Sequence, residues 1–186
     1  MEHFYQNIDG WFSYELIYKE MVARASEGAL FVEVGSFKGR SSSFLAVEIA
    51  NSGKNIKLDC IDTWQGSIEH QKGEECEIKE VVEGTLYETF LKNTEPVKHL
   101  INPIREPSYE AAARYADGSI DFIMIDGDHT FDGVCKDIQA FLPKMKKGGV
   151  MTGDDCWEGT DPRKAFEHML PGRVKFNGIH AIYIIE

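Results

Sequence analysis

Short apolar runs alternate along the chain with stretches of helical period. Within residues 12–26, Phe12, Leu16, Ile17 and Met21 fall near one helix face, with Ser13 placed to cap the start and Gly28 after the end. Leu30–Val34 reads as an apolar strand, Gly35–Gly39 as a tight loop, and Ser41–Ala50 as a helix stopped by Asn51-Ser52-Gly53. Ile56–Ile61 is a strand ending at Asp62, and the polar stretch 65–76, without a period, is a loop. Ile78, Val82, Leu86 and Phe90, four apart, predict one helix over 77–92. A strand at Val97–Ile101 and a helix at Ser108–Tyr115, capped by Ser108, lead to the Asp117-Gly118 turn. Ile120–Ile125 is almost wholly apolar, as a strand buried on both faces should be. A helix over 131–142 carries Val134, Ile138 and Phe141, and Gly149–Thr152 is a further strand. Asp161-Pro162 opens a short helix by cap and first-turn proline. Val174–Phe176 and Ile179–Ile185 flank Asn177-Gly178, a strong hairpin signal.

Five strand-then-helix units predict an α/β fold: a doubly wound, mostly parallel sheet with helices on both faces. The terminal antiparallel hairpin brings the count to seven strands. No repeat or Pro/Gly/Ser linker divides the 186 residues, so one domain over 1–186 is expected, with 1–28 as an N-terminal helical segment.

Composition narrows the function. With 42% hydrophobic and 27% charged residues, collagen-like and disordered classes fall away. Lys and Arg number 20 against 31 Asp and Glu, a formal charge of −11, which repels phosphate backbones and anionic lipid. The Lys144-Met145-Lys146-Lys147 cluster reads as a solvated helix end, so neither nucleic acid nor membrane is an expected partner. No apolar run approaches the ~20 residues of a membrane helix. Met1-Glu2-His3 opens no secretory leader. Cys60, Cys76, Cys135 and Cys156 lie far apart without a C-x-x-C, which fits reduced thiols in a cytoplasmic protein.

In open α/β sheets ligands bind beyond the carboxyl ends of the strands. After the first strand come Glu33, Gly35, Ser36, Gly39 and Ser41, a glycine-bearing turn into a helix start whose free N–H groups suit a carboxylate or phosphate. The pattern is not G-x-G-x-x-G, and an ordinary capped turn would look the same. Asp62 ends the second strand, where an acid accepts ribose hydroxyls, and Trp64 could cover a purine ring or pack within the loop. Asp126, Asp128 and His129 follow the fourth strand, and Asp154 and Asp155 the fifth. Carboxylates crowded there without Lys or Arg call for a cation, and Asp126, Asp154 and Asp155 suit a hard divalent ion such as Mg²⁺, Mn²⁺ or Ca²⁺. His129 is a base or orienting candidate.

The chain thus resembles class I S-adenosylmethionine-dependent methyltransferases. It is most similar to the small subgroup related to macrocin-type sugar O-methyltransferases, with a wider likeness to catechol and caffeoyl-coenzyme A O-methyltransferases. The residues that carry the likeness are F-V-E-V-G-S-F-K-G-R-S at 31–41, C-I-D-T-W-Q-G-S at 60–67, I-D-F-I-M-I-D-G-D-H at 120–129 and L-P-K-M-K-K-G-G-V-M-T-G-D-D at 142–155. The resemblance implies a Rossmann-like methyltransferase fold. It implies S-adenosylmethionine held at Glu33, Gly35, Ser36, Gly39 and Ser41, with Asp62 on the ribose and Ser108 near the adenine. It further implies a divalent cation, Mg²⁺ first among them, on Asp126, Asp154 and Asp155. The expected acceptor is a hydroxyl of a small molecule or sugar, on the side of residues 1–28, with Asp154 as base and His129 positioning the acceptor; a homo-oligomer stays open. Catechol-type members commonly carry Asn where Asp155 stands. Two other readings compete. Asp126-x-Asp128-x-Thr130 with Gly153-Asp154-Asp155 fits a haloacid-dehalogenase-type phosphohydrolase, although that nucleophile belongs after the first strand. The other is a non-catalytic module that binds a nucleoside or a partner, against which the carboxylates at two strand ends argue.

Overall fold

The computed structural model describes residues 1–186. Seven strands form one sheet in the order β3-β2-β1-β4-β5-β7-β6. They are β1 Leu30–Val34, β2 Lys57–Asp62, β3 Ile101–Arg105, β4 Ile120–Ile125, β5 Met145–Gly153, β6 Lys175–Asn177 and β7 His180–Ile184. The first five run parallel, and β7 pairs antiparallel with both β5 and β6.

Alternation along the strands divides the core into two layers. Phe31, Phe122 and Met124 face one side, packing with helices α1 (Glu15–Arg24), α2 (Arg40–Ser52) and α4 (Leu86–Asn93) through Tyr18, Phe44 and Phe90. Val32, Val34, Ile123 and Ile125 face the other, against α5 (Ser108–Ala111), α6 (Phe131–Phe141) and α7 (Asp161–Met169) through Ala111, Ile138, Phe141 and Phe166. Each such fully buried aromatic or aliphatic side chain contributes roughly 1.5–3 kcal/mol of transfer free energy. None of the four cysteines is paired, and no helix is long and apolar enough to cross a membrane.

Several predicted elements shift. The first helix starts at Glu15, without a side-chain cap, and Ser13 lies outside it. Its buried face is Tyr18, Met21 and Val22, whereas Leu16 is 81% exposed. Tyrosine rings fill the core here, because their hydroxyls find carboxylate partners. The helix expected over 77–92 is two, α3 (Lys79–Val82) and α4, interrupted at Gly84 with φ 70°. β3 lies four residues beyond the expected Val97–Ile101, and Val97 falls in a 3₁₀ turn after Pro96. Pro103 within β3 is tolerated because β3 is an edge strand, where a missing N–H can face solvent. Lys144 ends a 3₁₀ turn over Leu142–Lys144, and Met145, Lys146 and Lys147 open β5, with Lys144 paired to Asp117 and Lys146 to Asp121.

Candidate active site

The parallel strands end level. Val34 of β1 is paired with Ile61 of β2 and with Ile125 of β4, and Ile125 with Gly153 of β5. The residues that follow, Gly35, Asp62, Asp126 and Asp154, therefore stand in one row along the sheet edge. They line a cleft of about 1130 Å³, whose walls come from the N-terminal segment, the 61–70 loop and the starts of α5 and α6. That volume is slightly above the usual range for small-molecule sites.

Gly35 makes the row possible. A Cβ on it would lie 1.8 Å from the carbonyl oxygen of Asp126, so only glycine lets the β1 and β4 ends approach this closely. Gly39 serves packing: its missing side chain leaves room for Thr94, whose Cγ2 would be 2.6 Å from a Cβ. Phe37, Trp64 and Asp155 adopt φ of 46°, 52° and 53°. Left-handed backbone at non-glycine residues is strained, and here all three such residues lie in the turns after strands.

The turns are held by acids. Asp62 accepts hydrogen bonds from the Phe37 N–H at 2.8 Å and the Trp64 N–H at 2.7 Å, and burial raises its pKa. Glu33 is fully buried and accepts from Tyr18 at 2.7 Å, Ser36 at 2.9 Å and Ser42. It lies behind the turn, outside the cleft lining, and acts by holding Ser36 and the first turn of α2. Gly35, Ser36 and Ser41 line the cleft; Gly39 does not.

At the β4–β5 end Asp126, His129 and Asp155 each bring one ligand-type atom within 4.8 Å of the others. His129 Nε2 is 3.6 Å from Asp126 Oδ1 and 3.5 Å from Asp155 Oδ2, while its Nδ1 is 3.6 Å from Glu69. Burial pushes Asp126 up to about 6, with the Asp154 charge adding to it. The Asp126 carboxylate in turn raises His129 to about 9. Burial also raises Asp155. An imidazolium is what balances the carboxylates in this arrangement, and a divalent cation in its place would meet two carboxylate oxygens and a neutral imidazole nitrogen. The carboxylates suit Mg²⁺ or Mn²⁺ and the imidazole nitrogen a transition ion, so the mixed set fits Mn²⁺ better than Mg²⁺.

Asp154 is not part of that group. Its Oδ1 lies 3.1 Å from His180 Nε2, and Ser13 Oγ is 3.4 Å from its Oδ2. The Asp154 carboxylate raises His180. Asp126, His129 and Asp155 thus form one group, and Asp154, the other member of the expected metal trio, stands beside it on His180. The strained φ at Asp155 turns its side chain to His129, while Asp154 is engaged by the hairpin.

Residues 32–156 match the family described as Methyltransferase domain. The chain belongs to this methyltransferase family. Its fold is shared with solved structures at low identity. The O-methyltransferase TomG from Streptomyces achromogenes, involved in tomaymycin synthesis and solved with SAM, has a TM-score of 0.63 and 14% identity, covering 92% of this chain and 79% of that one. An O-methyltransferase from Bacillus cereus, solved with SAH, has a TM-score of 0.62 and 13% identity, covering 97% and 86%. The cofactor-bound Rv0187 from MTB has a TM-score of 0.64 and 15% identity, covering 96% and 83%. No curated protein matches the chain.

In this methyltransferase, residues that local sequence patterns pass over line the cleft or support it from behind. Tyr14, from the N-terminal segment, donates to Asp126 Oδ2 at 2.8 Å and is itself buried. His180 reaches Asp154 because the hairpin register sets Ala181 opposite Gly153; the Asn177-Gly178 turn, combined with that pairing, is the signal that would have found it. Trp11, 68% exposed, lies nearly parallel to His70, with ring centroids 6.0 Å apart and 7° between planes. Trp64 follows the second of its two readings, packing within the loop. It is 2% exposed, donates its indole N–H to Phe37 O at 2.8 Å and packs on Tyr87 and Phe90, so it supports the turn from inside the core. Ser108 does not cap α5, whose N-cap is Pro107; its hydroxyl donates to Asp137 on α6.

Proposed function

We propose that this chain transfers the methyl group of S-adenosylmethionine to a hydroxyl of a small molecule or sugar, with a divalent cation at Asp126, His129 and Asp155. The observation that carries the reading is the level row of strand ends, which sets the Gly35 turn, Asp62 and the carboxylate–imidazole group along one cleft. S-adenosylmethionine supplies an activated methyl on a sulfonium, and the cation, when bound, supplies charge that favours ionisation of an acceptor hydroxyl.

The chain's own residues position and exclude. Asp62 keeps lone pairs beyond its two backbone donors, and these suit ribose hydroxyls. Trp11, Phe12 and Ser13 line the cleft beside Asp154, which supports an acceptor side formed by the N-terminal segment. The exposed Trp11 face suits a ring lying flat. Asp154 Oδ2, with Oδ1 engaged by His180, is placed to take the acceptor proton. Holding acceptor and methyl donor in line contributes a large part of the rate in such a transfer. The acidic cleft and chain charge favour an uncharged or cationic acceptor over nucleic acid. The unpaired thiols fit a cytoplasmic protein.

The phosphohydrolase alternative loses its support in the fold: Asp126 follows β4, the central position of its sheet, and Asp128 Oδ1 accepts the Thr130 N–H at 2.8 Å at the start of α6. The test is calorimetric binding of S-adenosylhomocysteine, followed by a screen of hydroxylated acceptors for its formation. Asp62→Ala should weaken binding by about 1–3 kcal/mol. Absence of binding to the unaltered protein would overturn the reading.

A further inference from the structure

The segment before α1 is pinned on both sides of one exposed ring. Arg40, the first residue of α2, donates from Nη1 to the carbonyls of Ile8 at 3.2 Å and Gly10 at 2.9 Å. Ser13 Oγ lies 3.1 Å from His180 Nε2, and Tyr14 is bonded to Asp126. Between these points stand only Trp11 and Phe12. Phe12 packs on the core, against Tyr5, Tyr14 and Phe44. Trp11 faces the cleft, with most of its surface in water and its ring beside Phe37 and His70. Gly10, immediately before it, has φ 128°, a conformation that suits glycine, so Trp11 hangs on a glycine joint.

The ring opposite is held in place. His70 closes the 3₁₀ turn Ile68–His70 in the loop after β2. Its Nδ1 accepts the Ser67 N–H at 3.2 Å, and its carbonyl accepts the Ile78 N–H at 3.1 Å. From the end of β2 this turn crosses the β1 turn, where the His70 and Phe37 rings are 5.5 Å apart, and reaches the end of β4, where Glu69 meets His129. It roofs the stretch of the row in which methyl donor and acceptor meet. No hydrogen bond joins residues 8–13 to this loop. The near-parallel Trp11 and His70 rings, 6.0 Å apart, bridge the two walls. One aromatic pair with a ring mostly in water is a weak clasp, and exposed side chains change rotamer quickly. We propose that the Trp11 side chain is the gate of the cleft: against His70 it shuts the methyl donor in from water, and it swings off His70 for cofactor exchange and product release. This rests on the S-adenosylmethionine reading.

A gate that closes over the cleft slows entry and exit alike. Association and dissociation rates of S-adenosylhomocysteine are measured on the full chain, immobilised on a surface. Trp11→Ala should speed both by about three- to tenfold, as expected from the loss of one aromatic pair, and change Kd by less than about twofold. A residue that merely touches the ligand would speed dissociation alone and weaken Kd in proportion. His70→Ala removes the seat and keeps Trp11; it should speed both rates, and the double variant should go no further than either single one. Trp11→Phe, which keeps a ring, should restore slow exchange in part. Unchanged rates in Trp11→Ala, faster dissociation alone, or single effects that multiply in the double variant overturn the proposal and leave the methyltransferase reading standing. Failure of the unaltered protein to bind overturns the two together.

Discussion

Tyr14 donates its hydroxyl to Asp126 Oδ2 at 2.8 Å across 112 residues of sequence. The bond ties the N-terminal segment to the end of β4, and thereby couples the cleft wall formed by that segment to the carboxylate–imidazole group. Tyr14 is withdrawn from water while Asp126 faces the cleft, and burial holds the tyrosine pKa well above its ordinary value, so the hydroxyl stays a donor. Tyr14→Phe removes the donor and keeps the ring. Unfolding by denaturant should show a loss of about 1–3 kcal/mol, with methyl transfer reduced further as Asp126 loses a fixed orientation. An unchanged midpoint and rate would show that the bond is dispensable.

Gly35→Ala tests the level row directly. With a Cβ 1.8 Å from the Asp126 carbonyl oxygen and φ at 88°, backbone rather than a flexible side chain must move. The expected outcome is a loss of several kcal/mol, or an inability to bind S-adenosylhomocysteine where the chain still folds. Ordinary thermal stability together with ordinary binding would remove the close approach from the account.

Divalent-ion dependence separates the two aspartates after β5. Exhaustive chelation should abolish turnover, and Mg²⁺ or Mn²⁺ should restore it. Asp155→Asn should raise the metal concentration needed for half-maximal rate, whereas Asp154→Asn should leave that requirement near its starting value and lower kcat by about 10²–10⁴. The reverse pattern would return Asp154 to the metal and take the proton-accepting role away from it.

Asp137 makes stability depend on pH in an unusual sense for a carboxylate. Burial raises it to about 6 from 3.8. The folded state therefore binds the proton more tightly than the unfolded chain. The cost of its charge is present in full above about pH 6 and is relieved as the pH falls from about 6 toward 4. At 1.36 kcal/mol per pH unit the change amounts to up to about 3 kcal/mol. Asp137→Asn should accordingly gain stability at pH 8 relative to pH 4.5, read as the difference in unfolding free energy between variant and parent at each pH. A difference that does not vary with pH would count against the buried charge.

How far the site was legible depends on whether a residue's partner is local. Asp62 and the Gly35 turn were readable because a strand end followed by a turn announces itself within a few residues. The grouping of Asp126 with His129 and Asp155 was not, because the choice between Asp154 and Asp155 is made by one backbone angle, φ 53° at Asp155, and by His180 arriving from the hairpin. Trp64 was ambiguous for the same reason: nothing adjacent in sequence says that Tyr87 and Phe90 wait to receive it.

Period and punctuation in the chain were enough for the alternation of strands and helices, the buried β4, the Asn177-Gly178 hairpin and the acids at strand ends. Those features follow from side-chain alternation, turn chemistry and burial, which act over a few residues. Folding in space determined where β3 begins, that Pro103 lies on an edge, that tyrosines rather than Leu16 face the core, and which acids stand together at the β4–β5 end. These depend on strand order and register, which bring residues more than a hundred positions apart into contact. Local propensity carries no information about such pairings, because their free energy is realised only when the sheet has closed around them.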